Sequence, residues 1–157
     1  MNVLIVSPHP DDETLGAAGT IFRLKDQGHK ISWLNITGMS PDMFTEEQRQ
    51  VRKQQINQIE EVYDFFDICH LNLPAAKLDQ YVSSDIISQI SDYIKKVKPE
   101  TLILPDYNDA HSDHRYVFEW CYACTKIFRY PYITKVLTME IISETDFGNP
   151  VAPFAPN

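Results

Sequence analysis

Short apolar runs alternate along the chain with longer segments whose apolar residues recur every three to four positions. The runs are typical of strands buried on both faces of a sheet. They predict strands at 2–7, 29–38, 67–73, 101–105 and 133–142. The helix-spaced segments predict helices at 14–27, 45–63, 84–97 and 114–128. This alternation predicts an α/β fold with a Rossmann-like, doubly wound, mostly parallel sheet of about five strands.

Local signals support the helix boundaries. Gly28 stands where a glycine commonly follows a helix end, and Thr45 and Gln48 form a capping-box pattern at the start of the second helix. The apolar residues of the first helix recur at a helical spacing, namely Leu15, Ala18, Ile21, Phe22 and Leu24.

Two polar clusters follow predicted strands, "PHPDDE" at 8–13 and "DYNDAHSDHR" at 106–115. In an open parallel sheet, ligands bind outside the carboxyl ends of the strands. The first and fourth strands of a doubly wound sheet are commonly neighbours where the strand order reverses. We therefore expect one rim of the sheet to bring together His9, Asp11, Asp12, His111, Asp113 and His114.

Each of these residues also has a structural interpretation when it is taken alone. Asp11 or Asp12 can cap the first helix, and Ser112 or Asp113 can cap the helix that begins near His114. Capping does not explain why two such clusters occur at matching strand ends. The coincidence favours a functional site.

The residue types point to a metal site. Imidazole and carboxylate ligands suit zinc, which in catalytic sites takes three protein ligands and leaves a position for water. His9 and Asp12 are three residues apart, so one turn, stiffened by Pro10, can direct both at the same point. His114 is the expected third ligand. Ferrous iron accepts the same ligands and stays an alternative.

The other groups of the two clusters fit hydrolysis by a zinc-bound water, whose pKa falls to about 7. Asp11, next to the ligands, is the candidate general base. His111 is the candidate donor to a developing oxyanion, with Asp113 as its orienting partner. The positive metal makes the crowding of acidic groups tolerable.

Composition narrows the function classes. The formal net charge of −8 argues against a nucleic-acid or membrane-surface binder, since both need a basic face. The 157 residues fit a single domain over 1–157, with no apolar run long enough for a transmembrane helix. The start does not read as a signal peptide, and the three cysteines form no disulfide framework. We expect a cytoplasmic protein; the sequence leaves open whether it forms a homo-oligomer.

The stretch "PHPDDETLGAAGT", followed much later by "HSDH", closely resembles the PIG-L/LmbE-like family of zinc-dependent N-deacetylases. Members act on N-acetylglucosamine-type groups in glycolipids, low-molecular-weight thiols, antibiotics and bacterial surface glycans. The resemblance covers most of the chain. It implies a metal-dependent hydrolase that removes the N-acetyl group from an amino sugar or glycoconjugate, and "ACTKIFRYP" at 123–131 is similar to members associated with polysaccharide biosynthesis.

The resemblance assigns roles to the matching positions. The implied zinc ligands are His9, Asp12 and His114. Asp11 is implied as the general base that later protonates the leaving amine. His111 is implied as an imidazolium that stabilises the tetrahedral intermediate, with Asp113 as its partner. Arg52 matches a position that contacts sugar hydroxyls in some relatives, although a solvated helix arginine is the alternative interpretation.

Three departures from the family pattern concern the substrate side. Gln55 stands where members usually have a glutamate, and Ala75 follows Pro74 where members have an acidic residue. Asp79, four residues on, is the candidate replacement for that acid. Relatives generally continue beyond a segment like Pro156–Asn157, so we expect this chain to lack C-terminal elements.

Two alternative functions remain at this point. The departures on the substrate side are compatible with a catalytically impaired, glycan-binding relative. Intact Asp11 and His111 argue against that alternative, because a mere binder needs no general base. Two histidines and a carboxylate also form the facial triad of non-haem iron oxygenases, but those enzymes occur mainly on β-barrel scaffolds.

Overall fold

Five parallel strands form one sheet in the computed structural model, which describes residues 1–150. The strands are β1 (Asn2–Ser7), β2 (Lys30–Gly38), β3 (Asp67–Pro74), β4 (Thr101–Pro105) and β5 (Lys135–Met139). Their order is β3-β2-β1-β4-β5, and each neighbouring pair is parallel. The predicted doubly wound α/β fold is confirmed, with a sheet that is parallel throughout.

Helices connect the strands and cover both faces of the sheet. They are α1 (Asp12–Asp26), α2 (Glu46–Tyr63), α3 (Ser83–Val97), α4 (Ser112–Tyr122) and the short α5 (Ile142–Thr145). Gly28 follows α1 with a φ of 77°, a conformation that favours glycine. Thr45 and Gln48 form the predicted capping box at the start of α2.

Helix α4 is shorter than the sequence predicts. It ends at Tyr122 instead of continuing to 128. Thr125 explains the early end, because its backbone N–H and its hydroxyl both donate to the Tyr122 carbonyl oxygen. The chain then turns, and the thiols of Cys121 and Cys124 are buried in the core without a disulfide.

The core lies in two layers on opposite faces of the sheet. Alternate residues of β1 serve the two layers: Leu4 faces α3 and α4, while Ile5 faces α1. Ile94 of α3 is fully buried in the first layer, and Ile21 of α1 is fully buried in the second. Burial of such a side chain stabilises the fold by about 1.5–3 kcal/mol.

Only some of the helically spaced apolar residues of α1 face the core. Leu15 and Phe22 are 60% and 46% exposed, whereas Ala17 and Ile21 are buried against the sheet. Helix α1 turns Gly16 toward the end of β5, where a Cβ at Gly16 would lie 3.0 Å from the side chain of Met139. Small residues bring α1 close to the end of β5, and the larger apolar side chains are left outside.

The reversal of strand order lies between β1 and β4. Ile5 of β1 pairs with Ile103 of β4 on one side and with Trp33 of β2 on the other. The loops that follow β1 and β4 therefore leave the same edge of the sheet side by side, as the sequence predicts. This arrangement positions the two polar clusters.

No helix within residues 1–150 is both long and apolar enough to cross a membrane. The expected lack of C-terminal elements rests on the segment at 156–157, which lies outside the described residues, and it stays a prediction. That the whole chain forms a single domain stays a prediction.

Candidate metal and catalytic site

Three side-chain atoms converge where the loops after β1 and β4 meet. His9 Nδ1 lies 3.3 Å from His114 Nε2 and 3.5 Å from Asp12 Oδ2. His114 Nε2 lies 3.4 Å from Asp12 Oδ2. A tetrahedral zinc ion with bonds of about 2.0–2.1 Å separates its ligand atoms by about 3.3–3.4 Å. The three predicted ligands therefore have the spacing and the chemistry of a metal site.

The loop after β1 is fixed in place by backbone and side-chain hydrogen bonds. Thr37, at the end of β2, donates its backbone N–H and its hydroxyl to the Pro8 carbonyl oxygen, at 3.0 and 2.8 Å. The His9 backbone N–H donates to Asp12 Oδ2 at 2.8 Å. These bonds hold the imidazole of His9 and the carboxylate of Asp12 on the same side of the turn.

Each candidate ligand histidine has a carboxylate on its other ring nitrogen. His9 Nε2 lies 3.1 Å from Asp113 Oδ2, and His114 Nδ1 lies 2.7 Å from Asp109 Oδ2. Such carboxylates fix the tautomer and orientation of a histidine ligand and increase its basicity. The other ring nitrogens, His9 Nδ1 and His114 Nε2, are the two atoms that lie close to Asp12 Oδ2.

The surroundings of His9 favour positive charge. Burial alone disfavours an imidazolium, but the hydrogen bonds with Asp113 and Asp12 outweigh it and raise the pKa of His9 to about 9. The same carboxylates stabilise any cation placed between them. The electrostatics of the cluster are therefore those of a cation site.

A second grouping of possible ligands shares His9 with the first. His9, His111 and Asp113 also lie close together. Asp113 Oδ2 already accepts from the Ala76 backbone N–H at 2.7 Å, and His111 Nδ1 accepts from the Asp113 backbone N–H at 3.1 Å. In the set of His9, Asp12 and His114, by contrast, both histidines have a carboxylate on the ring nitrogen that faces away from the convergence point, so this set fits a metal better.

Asp11 is the first acidic group outside the three ligands. It is the residue before α1, but its side chain makes no capping hydrogen bond, so the capping interpretation does not account for it. The carboxylate is 51% exposed, and its Oδ2 lies 3.7 Å from Arg52 Nη1. Arg52 Nη1 also lies 3.5 Å from the Pro10 carbonyl oxygen. The structure thus leaves Asp11 free to meet a ligand in the cavity.

His111 precedes α4 and caps it. Its Nδ1 accepts the Asp113 backbone N–H, so that nitrogen carries no proton and Nε2 is the donor. Burial and the nearby His9 lower the pKa of His111. Both observations favour a neutral imidazole at His111, and the imidazolium implied by the resemblance stays a prediction.

The carboxylate of Asp113 does not serve His111 as expected. Its Oδ2 lies 4.0 Å from His111 Nδ1 but 3.1 Å from His9 Nε2. Although burial works in the opposite direction, the hydrogen bonds from His9 and the Ala76 backbone hold the pKa of Asp113 below its usual value. The hydrogen bond that joins Asp113 to His111 comes from the Asp113 backbone, whereas the shorter contact of its carboxylate is with His9.

A cavity of about 360 Å³ opens over these residues. Arg52 lines it, as does Glu144 from the segment after β5. Ala75 lines it at the position where the family has an acidic residue, whereas Asp79 does not. Asp79 lies exposed in a short 3-10 helix, so no contact supports its predicted role as the replacement acid.

Sequence reasoning missed the role of Asp109, whereas Glu13 lies in the first turn of α1, where the sequence predicts an acid of the first turn or one that supports the site. Asp109 is fully buried against His114, and its spacing of five residues from that histidine within the second cluster was the available signal. Glu13 is also buried: it accepts from Ser7 Oγ at 3.2 Å, and Ser7 Oγ accepts from Trp33 Nε1 at 2.9 Å. Burial raises the pKa of Glu13 to about 7. Glu13 ties the start of α1 to β1 and β2.

A family profile described as PIG-L, GlcNAc-PI de-N-acetylase, matches residues 4–125, from the first strand to just beyond α4. The chain belongs to the PIG-L family. Both polar clusters lie inside the match. The family and the parallel α/β sheet both argue against the non-haem iron oxygenase, which occurs mainly on β-barrel scaffolds.

Known relatives extend this finding. The chain is 28% identical over 123 residues to the probable N-acetyl-alpha-D-glucosaminyl L-malate deacetylase 2 of Bacillus cereus, over 72% of this chain and 56% of that protein. It is 27% identical over 130 residues to the diacetylchitobiose deacetylase of Thermococcus kodakarensis, over 73% of this chain and 45% of that protein. The chain spans about half the length of these curated relatives.

The fold is shared with solved structures. A conserved protein of Thermus thermophilus superposes with a TM-score of 0.72 and 22% identity, over 98% of this chain and 68% of that one. At this identity the likeness concerns the fold alone.

Proposed function

We propose that this PIG-L family protein is a metal-dependent hydrolase that removes the N-acetyl group from an N-acetylated amino sugar or glycoconjugate. One observation carries the proposal: three ligand atoms converge beside Asp11, a carboxylate that neither binds with them nor caps its helix. Metal-assisted amide hydrolysis uses a cation together with a base. The deacetylase names of the curated relatives support the same reaction class.

The proposed metal ligands are His9 Nδ1, Asp12 Oδ2 and His114 Nε2. Their spacing and the carboxylates behind both histidines fit zinc, and ferrous iron accepts the same donors. When bound, such a cation polarises the amide carbonyl and lowers the pKa of a coordinated water.

Asp11 is the proposed general base. It accepts a proton from the attacking water and returns it to the amine nitrogen as the C–N bond breaks and acetate leaves. Its contact with Arg52 keeps the carboxylate at the edge of the cavity, and its exposure leaves an oxygen available. One water is consumed, and one acetate and one amine are formed.

His111 is the proposed donor to the carbonyl oxygen. Since its Nδ1 accepts from the Asp113 backbone, the proton is on Nε2, and the ring lines the cavity. A neutral donor fixed by a helix cap stabilises developing negative charge without first reorganising. Asp113 and Asp109 are proposed as positioning residues for His9 and His114.

The test is an assay of amine and acetate release over a panel of N-acetylated sugars and nucleotide sugars. The metal-free protein is supplied with zinc or ferrous iron, and a chelator-treated sample serves as the control. We expect equal amounts of amine and acetate, only with metal present. Saturable sugar binding without any release would instead favour the glycan-binding alternative, and a requirement for oxygen would favour the oxygenase.

A further inference from the structure

A second cavity of about 310 Å³ adjoins the proposed active site. It lies along one face of α2, and its lining residues are Met39, Glu47, Gln48, Val51, Arg52 and Gln55. Met39 and Arg52 line both cavities, so the two spaces share a wall. The two cavities are therefore neighbours at these two side chains.

The side chains of the second cavity have a particular chemistry. Met39 and Val51 offer apolar surface, and Val51 is 50% exposed. Gln48 uses its Oε1 to accept the Thr45 backbone N–H, which leaves its amide NH₂ group for a ligand. Gln55 is exposed, and its side chain has no hydrogen bond within residues 1–150. Apolar surface between uncharged amides suits the carbon face and the hydroxyls of a sugar ring.

Charge disfavours an anionic occupant. Arg52 is the only cationic residue among the described residues that line this cavity, and it already faces the carboxylate of Asp11 at 3.7 Å. Glu47 adds a negative charge to the lining. A diphosphate or a dicarboxylate placed here would lack a free cation and would meet Glu47.

We propose that the face of α2 formed by Gln48, Val51 and Gln55 is a second sugar subsite, which takes a neutral hexose unit linked to the N-acetylated sugar in the first cavity. This inference rests on the proposed function and goes beyond it. It assigns the substrate class to oligosaccharides or neutral glycosides, and it excludes nucleotide sugars and acidic aglycones as preferred substrates.

The test compares N-acetylglucosamine, N,N′-diacetylchitobiose and UDP-N-acetylglucosamine on the metal-loaded protein. We expect kcat/KM for the disaccharide to exceed that for the monosaccharide by about 10-fold, the effect of one or two added hydrogen bonds. The nucleotide sugar should not exceed the monosaccharide. Equal values for monosaccharide and disaccharide, or a preference for the nucleotide sugar, would overturn the subsite.

Variants of α2 localise the effect. Gln55→Ala should lower the ratio of disaccharide to monosaccharide kcat/KM about threefold or more. Gln54→Ala is the matched control, because Gln54 is an exposed glutamine of the same helix that lies outside both cavities. If both variants change the ratio equally, the cavity is not the cause.

Direct binding separates this inference from the proposed function. The dissociation constant of diacetylchitobiose is measured by NMR titration for the wild type, Gln55→Ala and Gln54→Ala. If no sugar releases amine but Gln55→Ala weakens binding about threefold, the proposed reaction fails and the subsite stands. If amine is released but Gln55→Ala binds and turns over the disaccharide like the wild type, the subsite is wrong and the reaction stands.

Discussion

His114 Nδ1 lies 2.7 Å from Asp109 Oδ2, and both side chains are fully buried. With the carboxylate at Nδ1, the other ring nitrogen of His114, Nε2, is directed at His9 and Asp12. The other oxygen of Asp109 accepts from Thr145 Oγ1 at 2.7 Å, so the pair also joins α4 to the segment after β5.

Asp109→Asn should weaken metal binding. The substituted amide can turn an NH₂ group toward His114 Nδ1, which shifts the proton to Nε2, the atom that would bind the metal. Loss of a carboxylate behind a histidine ligand typically costs about 10–100-fold in metal affinity. Competition with a chromophoric chelator for zinc measures the loss. Asp146→Asn, at an exposed carboxylate of the segment after β5, is the control. An Asp109→Asn protein with wild-type zinc affinity would refute the role.

Asp11→Asn should separate metal binding from catalysis. The amide keeps the size of the carboxylate but cannot accept a proton, so we expect turnover to fall by about 10² or more. Zinc stoichiometry should stay at the wild-type value, because Asp11 lies outside the three ligand atoms. His114→Ala is the contrasting variant and should lose zinc. Near-normal turnover in Asp11→Asn would show that another group is the base.

The sequence predicted the site because two simple rules acted together. Parallel strands end at one edge, and β1 and β4 are neighbours where the strand order reverses, so residues about a hundred positions apart meet. The spacing of His9 and Asp12 then predicted that one turn presents both. The cytoplasmic location and the oligomeric state stay predictions.

Other features depended on tertiary contacts that no pattern contains. Asp113 serves His9 because the loop after β3 brings the Ala76 backbone N–H, at a positive φ of 58°, to the same carboxylate oxygen. Leu15 fits the apolar spacing of α1, but it lines the cavity at the candidate site. Apolar side chains line ligand cavities as well as protein cores. The spacing of apolar residues alone therefore does not tell a core residue from one that lines a cavity.

Asp113→Asn should reveal which histidine its carboxylate supports. The structure predicts a loss of zinc affinity of about 10–100-fold, because the amide no longer fixes the proton on His9 Nε2. His111→Gln, by comparison, should lower kcat while zinc affinity stays unchanged. Isothermal competition assays and steady-state kinetics on both variants make the comparison. If Asp113→Asn keeps its zinc affinity and loses only kcat, its side chain serves His111 as the resemblance implied.

Gly16 and Gly19 of α1 should respond in opposite directions to alanine. A Cβ at Gly16 would lie 3.0 Å from the Met139 side chain and 3.1 Å from the Glu140 carbonyl oxygen. Overpacking there should destabilise the fold by about 1–3 kcal/mol, partly offset by the better helix propensity of alanine. A Cβ at Gly19 would meet no described atom within 4 Å.

Gly19→Ala should therefore stabilise the fold by up to about 1 kcal/mol, the difference in helix propensity. Urea unfolding of the metal-free protein measures both changes without a contribution from metal binding. Gly16→Ala should also disturb the start of α1, where Asp12 lies, and so lower zinc affinity, whereas Gly19→Ala should not. Equal stability of the two variants would show that α1 does not approach the end of β5 as closely as the structure has it.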